Sequence, residues 1–194
     1  MRGQARGDGG GSGVIIALVG QFRKLDVSIS GDSEIDKKQQ KREVKMQKIV
    51  FVCTGNTCRS PMAEVFARAH FAVQGLEVLV ASCGVAAFGG GPASKYALEV
   101  VDGEYGLCLK AHKSQMACED VLDGAVAVVA MTSSHKARVV GAIPALSEKI
   151  HTLLEMAGDE GDVDDPFGGN IDVYKSCAAQ IKSYIEKIEW RKYL

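Results

Sequence analysis

Cys53 and Arg59 flank Thr54-Gly55-Asn56-Thr57-Cys58, a five-residue spacer between an apolar run and a Ser60-Pro61 pair. A loop of this length can wrap a tetrahedral oxyanion with successive backbone N–H groups turned inward, and a helix starting at its end adds partial positive charge. Gly55 and Asn56 both tolerate the left-handed backbone such a nest requires. Arg59 closes the ring with a planar fork suited to two phosphate oxygens, and the same field favours the thiolate form of Cys53. An anion cradle with a nucleophile at its floor implies phosphoryl transfer. The Gly-x4-Gly-Lys-Ser/Thr pattern of a nucleotide triphosphate loop is absent.

The elements that must position this loop begin with Lys48–Cys53, a β-branched run predicted to be a strand. A helix is predicted over Pro61–Phe71, with Ser60 as N-cap and Pro61 at its first position. Strands are predicted at Glu77–Ser82, Ala125–Met131 and Lys149–Leu154, and helices at Pro92–Tyr105, Ser114–Leu122 and Ser133–Val140. A last helix, Ile171–Trp190, places Ile171, Tyr174, Ala178, Ile181, Tyr184, Ile185 and Ile188 on one face. Strands apolar on both faces and separated by helices imply an α/β fold: a three-layer, Rossmann-like sandwich with a four-stranded parallel sheet and helices on both faces. Ligands bind at the carboxyl ends of such strands, where Cys53 falls.

Among 194 residues, 46% are hydrophobic and 24% charged, with a formal net charge of −1. This fits one ordinary globular domain and points away from a dedicated nucleic-acid binder. No apolar run approaches the ~20 residues that cross a bilayer. Residues 1–45 carry nine basic and six acidic side chains and seven glycines in their first twenty positions, so residues 46–194 are net acidic. The arm buries too little apolar surface to offset its ordering entropy. It is expected to be either a disordered tail or a non-native extension upstream of a start at Met46, leaving 46–194 as the functional domain. Gly13–Gly20 is apolar but short for a signal peptide and lacks a cleavage site after it. The six cysteines are therefore read as reduced thiols in a cytoplasmic protein. Cys83, Cys108, Cys118 and Cys177 default to packing or neutral positions. His70, His112, His135 and His151 show no metal-ligand spacing with a Cys partner and are expected at the surface or at helix ends.

The loop, the following Pro61-Met62-Ala63-Glu64 and the segment Asp165-Pro166-Phe167-Gly168-Gly169 resemble the low-molecular-weight protein phosphatases, over nearly all of residues 46–194. Thr57 and Phe167 through Lys175 resemble the bacterial protein-arginine phosphatases of that family; tyrosine-directed members commonly carry Ile at the Thr57 position and a further aromatic after the Asp-Pro-aromatic element. The resemblance implies a two-step mechanism through phosphocysteine, without metal or other cofactor, on phosphorylated protein substrates. Cys53 would attack phosphorus. The backbone from Thr54 to Arg59, with the Arg59 guanidinium, would bind the equatorial oxygens, and Ser60 would hydrogen-bond the thiolate. Asp165, chosen over Asp164 because it directly precedes Pro166, would protonate the leaving group and then activate water. Phe167 would form an apolar wall or simply anchor its loop.

The small, hydroxyl-bearing Thr57 and an acidic rim favour phosphoarginine, with phosphotyrosine as the alternative. Cys58 packs the loop or forms a reversible disulfide with Cys53 that guards it from over-oxidation. Thiol-dependent arsenate reductases share the loop but use further cysteines after the third strand, where this chain has Met131-Thr132-Ser133-Ser134-His135. A non-catalytic anion-binding module would lack Cys53, Arg59 or Asp165, and all three are present. A monomer is expected, with no nucleic-acid or membrane partner.

Overall fold

The computed structural model describes residues 46–194; the expectations for residues 1–45 lie outside the described residues. Four parallel strands form one sheet in the order β2-β1-β3-β4: β1 Gln47–Cys53, β2 Val78–Gly84, β3 Ala125–Ala130 and β4 Ile150–Thr152. The helices are α1 Arg59–Val73, α2 Lys95–Tyr105, α3 Glu119–Leu122, α4 Ser133–Ala142, α5 Leu153–Met156 and α6 Ile171–Lys187.

The central strand sets the layering. Along β1, alternate side chains point to opposite faces. Ile49, Phe51 and Cys53 join the core beneath α1, α2 and α6, while Val50 and Val52 join Val128, Ala130, Ile150, Leu122 and Val139 beneath α3 and α4. Both faces of the sheet are therefore covered, as the uninterrupted apolar runs require. Phe51, Phe71 and Trp190 stack edge to face, and the buried Trp190 indole donates to Ile185 O at 2.8 Å, pinning the chain after α6 to the core.

Several boundaries differ from the sequence reading for local reasons. Helix α1 starts at Arg59 with Cys58 as N-cap, so Ser60 lies inside the first turn and its hydroxyl is used elsewhere. Helix α2 starts at Lys95, three residues after Pro92, because Ser94 is extended at ψ 151° as its N-cap, with its N–H held by Thr57 O at 2.8 Å. Only Glu119–Leu122 of the predicted Ser114–Leu122 helix is helical, since the preceding chain is held alongside the end of β2 by a Gly84–Met116 bridge. Strand β4 stops at Thr152, where a capping box with Glu155 opens α5. On α6, Tyr174, Ala178, Ile181 and Ile185 are buried as the spacing predicts, Cys177 joins them, and Ile171 and Tyr184 sit half-buried at the margins.

From β1 the chain passes to β2 on one side, and β3 lies on the other. The crevice at the carboxyl end of β1 is the switch point of the sheet. Cys53, the last residue of β1, pairs in register with Gly84 at the end of β2.

Candidate active site

The segment after Cys53 turns back on itself, and Asn56 at φ 55° is the one non-glycine residue with positive φ among the described residues. Gly55 does not adopt that conformation, so the reversal rests on Asn56 alone. Asparagine tolerates αL better than most side chains, and here the whole residue is tied down as well. Its Nδ2 donates to Ser60 Oγ and Ser82 Oγ, both at 2.9 Å, and its Oδ1 accepts from Gln115 N–H at 2.9 Å. Its carbonyl accepts from His112 Nε2 at 2.8 Å, which fixes the proton on that nitrogen. The Ser82 hydroxyl donates to Glu64 Oε2 at 2.6 Å, and Glu64 is paired with Arg68.

Four other loop carbonyls are also engaged. Cys53 O and Thr54 O accept from Val85 and Ala86 N–H at 2.9 Å, Thr57 O from Ser94, and Cys58 O from Met62. Among the described residues, no protein acceptor takes the N–H groups of Thr54 through Cys58. A loop whose carbonyls are anchored outward and whose amides are free to point inward is an anion nest at the start of α1. Beneath it, a Cβ on Gly84 would come within 2.4 Å of Thr54 O and 2.8 Å of Asn56 N, so glycine is required there by backbone contact.

Cys53 is buried, and its Sγ lies 3.0 Å from Ser60 Oγ. The Ser60 oxygen already accepts from Asn56, so its single proton goes either to Cys53 Sγ or to Cys83 O at 3.2 Å. Arg59 is 5% exposed; its Nη1 donates to Val163 O at 3.3 Å and its Nη2 to Asp165 Oδ2 at 2.9 Å. Asp165 Oδ1 accepts from Phe167 N–H at 3.2 Å, a turn that orients the carboxylate from its own loop. Asp164 makes no such approach: its backbone is held by Gln180 and Cys177. The residues after Phe167 are structural, with Gly168 at φ 80° and Asn170 capping α6 through Asp172 and Val173 N–H.

A cleft of about 550 Å³ brings Cys53, Thr54, Gly55, Thr57, Cys58, Arg59, Asp165 and Phe167 together, with Phe88 on the rim. Phe88 and Phe167, both lining the cleft, are 93% and 79% exposed. Asn56 and Ser60, also expected in the phosphate loop, are fully buried behind the cleft as its support. Cys58 is buried with its Sγ 3.2 Å from Tyr174 OH and 3.4 Å from Ser94 Oγ. Burial and the Cys58 contact push the Tyr174 phenol up to about 12. Cys83 and Cys177 are buried and pushed up to about 12, chiefly by loss of hydration, whereas Cys108 and Cys118 are exposed. Among the described residues no three His, Cys, Asp or Glu side chains converge as a metal ligand set, and no helix is long and apolar enough to cross a membrane.

The sequence reading missed the supports. His112, Ser82, Gln115 and Gly84 lie on other elements, and no local pattern marks them as partners of Asn56. His135 lies at a helix end as expected, in the first turn of α4, but it is 5% exposed rather than at the surface: its Nε2 is 2.8 Å from Thr54 Oγ1 and its Nδ1 2.8 Å from Thr132 Oγ1.

Comparison with known proteins adds three findings. A family model described as low molecular weight phosphotyrosine protein phosphatase matches residues 48–191. A protein-arginine-phosphatase of Bacillus subtilis (strain 168) is 39% identical over 141 residues, covering 72% of this chain and 93% of the relative. Among solved structures, a low molecular weight protein tyrosine phosphatase from T. tengcongensis is 43% identical with a TM-score of 0.71, over 73% of this chain and 96% of that one. The YwlE arginine phosphatase, solved as a mutant with a phosphorylated active site serine, is 39% identical with a TM-score of 0.70, over 73% of this chain and 92% of that one.

Proposed function

Because the chain belongs to the low molecular weight phosphotyrosine protein phosphatase family, whose members cleave phosphoryl groups from proteins, we propose that it hydrolyses phosphoarginine on proteins with Cys53, Arg59 and Asp165 as its catalytic residues. Cys53 Sγ attacks phosphorus in line, the P–N bond breaks, and Asp165 delivers its proton to the departing guanidine nitrogen. Asp165, now ionised, takes a proton from water as the water oxygen attacks phosphorus. The S–P bond breaks, and Cys53 leaves as thiolate with inorganic phosphate. Through both steps the loop amides and Arg59 hold the equatorial oxygens.

The observation that carries this reading is the Arg59–Asp165 pair, 2.9 Å apart beside Cys53 in one cleft. An arriving phosphate dianion competes for the Arg59 guanidinium and frees the Asp165 carboxyl to face the leaving group. Thr57 supports phosphoarginine over phosphotyrosine, since it lines the cleft with a small hydroxyl-bearing side chain. Phe88 and Phe167 offer ring faces to a guanidinium, and the match to a protein-arginine-phosphatase agrees. The name of the T. tengcongensis relative supports the phosphotyrosine alternative. A reducing, cytoplasmic setting suits a mechanism that needs a free Cys53 thiol, and the chain acts as a monomer in this reading.

The test compares phosphate release from phosphoarginine and phosphotyrosine peptides by the full chain and by Cys53→Ser. Wild type should favour phosphoarginine by roughly tenfold or more in kcat/KM, or about 1.4 kcal/mol, and Cys53→Ser should release none. A ratio favouring phosphotyrosine overturns the arginine assignment, and an active Cys53→Ser overturns the mechanism.

A further inference from the structure

We infer that His135 is a positioning residue of the phosphate loop: by holding the Thr54 side chain it fixes the first residue after the nucleophile. The inference rests on the catalytic reading of the loop given above. Thr54 begins the nest, is exposed and lines the cleft. On one side its carbonyl is tied to Ala86 N–H at 2.9 Å, and on the other its Oγ1 is tied to His135 Nε2 at 2.8 Å. The second bond spans 81 residues of sequence and links β3 and α4 to the end of β1.

The imidazole is itself immobilised. Thr132 caps α4 by accepting from His135 N–H at 3.2 Å, and the same hydroxyl meets Nδ1 at 2.8 Å. Both ring nitrogens thus face a hydroxyl, and a neutral imidazole needs one donor and one acceptor from such a pair. The chain Thr132–His135–Thr54 supplies both in either direction. When Nε2 donates to Thr54, the threonine keeps its own proton for an anion in the cleft.

Burial and the neighbouring Arg59 hold His135 down to about 4, with Arg138 acting the same way and Asp165 and Asp162 opposing. The ring is therefore uncharged at neutral pH, and Arg59 has no second cation beside it competing for Asp165. Removing the ring frees one side of Thr54 and lets the nest amides drift. A drift of about 1 Å in such a site is worth roughly a hundredfold in rate.

The test is a double-mutant cycle on His135→Ala and Thr54→Val in the full chain, with an aryl phosphate as substrate. Each single variant should lose roughly ten- to a hundredfold in kcat with little change in KM. The double variant should be no worse than the weaker single, and His135→Gln, which keeps a donor and an acceptor, should recover most of the loss. Affinity for vanadate should fall in step with kcat/KM, since the pentavalent ion samples the transition-state geometry. Thr54→Val leaves the buried ring in place and carries the test if His135→Ala does not fold. Single variants within twofold of wild type, or losses that multiply in the double variant, overturn the inference. A wild type inert toward the aryl phosphate overturns the catalytic reading instead, so the two failures are distinguishable.

Discussion

Thr57 is the residue on which the choice of substrate turns, because it lines the cleft between Cys53 and Arg59 with no bulk beyond its methyl and hydroxyl. Thr57→Ile should shift the phosphoarginine-to-phosphotyrosine ratio of kcat/KM toward tyrosine by roughly ten- to a hundredfold, as small volume changes in a pocket do; an unchanged ratio would remove Thr57 from the specificity argument. Asp165→Asn keeps the size of the side chain but neither donates nor accepts the catalytic proton. It should lower kcat by roughly 10²–10⁴-fold, while Asp164→Asn stays near wild type because only Asp165 meets Arg59. Equal losses from both variants would refute the assignment. Cys58 makes a third residue-scale prediction. Peroxide inactivation should be reversed by thiol in wild type but not in Cys58→Ser, with the Cys58 sulfur leaving Tyr174 and Ser94 to reach Cys53. Recovery of both proteins would place the protection elsewhere.

The Cys53–Arg59 loop is held as an element by three others. Strand β2 supplies Gly84 beneath it, the chain before α3 supplies His112 and Gln115, and α4 supplies His135. Gly84→Ala tests the tightest of these contacts. Its Cβ would stand 2.4 Å from Thr54 O, so the backbone must yield, and kcat should fall roughly a hundredfold with the circular dichroism spectrum retained. Near-normal turnover would mean that the loop can shift without losing its catalytic shape. At this scale the sequence was legible where a signal is local. The strand before Cys53 and the amphipathic face of α6 were each expected and are present. The start of α1 was misplaced because Ser60 is a good N-cap by type, yet Asn56 and Cys53 claim its hydroxyl from across the loop.

Across the whole molecule, the buried imidazole of His135, bonded to Thr54, also bears on stability. The unfolded chain protonates His135 near the ordinary 6.5, whereas the native protein resists until about 4. Its contribution is therefore complete above pH 6.5 and is lost as the pH falls toward 4, because the unfolded state binds the extra proton in that window. His151, pushed down mainly by burial, acts in the same direction. Thermal midpoints should decline between pH 6.5 and 4.5, and His135→Gln should flatten that decline; parallel curves for the two proteins would contradict it. The amino-acid sequence by itself determined the alternation of strands and helices, the layered α/β class, and the Cys53-to-Arg59 spacing of the loop, because periodicity and short-range spacing are properties of neighbouring residues. Tertiary structure decided which distant groups complete the loop. Asn56 holds its reversed backbone through Ser82, His112 and Gln115, and His135 became a buried anchor for Thr54, since the parallel sheet draws the carboxyl ends of strands far apart in sequence around Cys53.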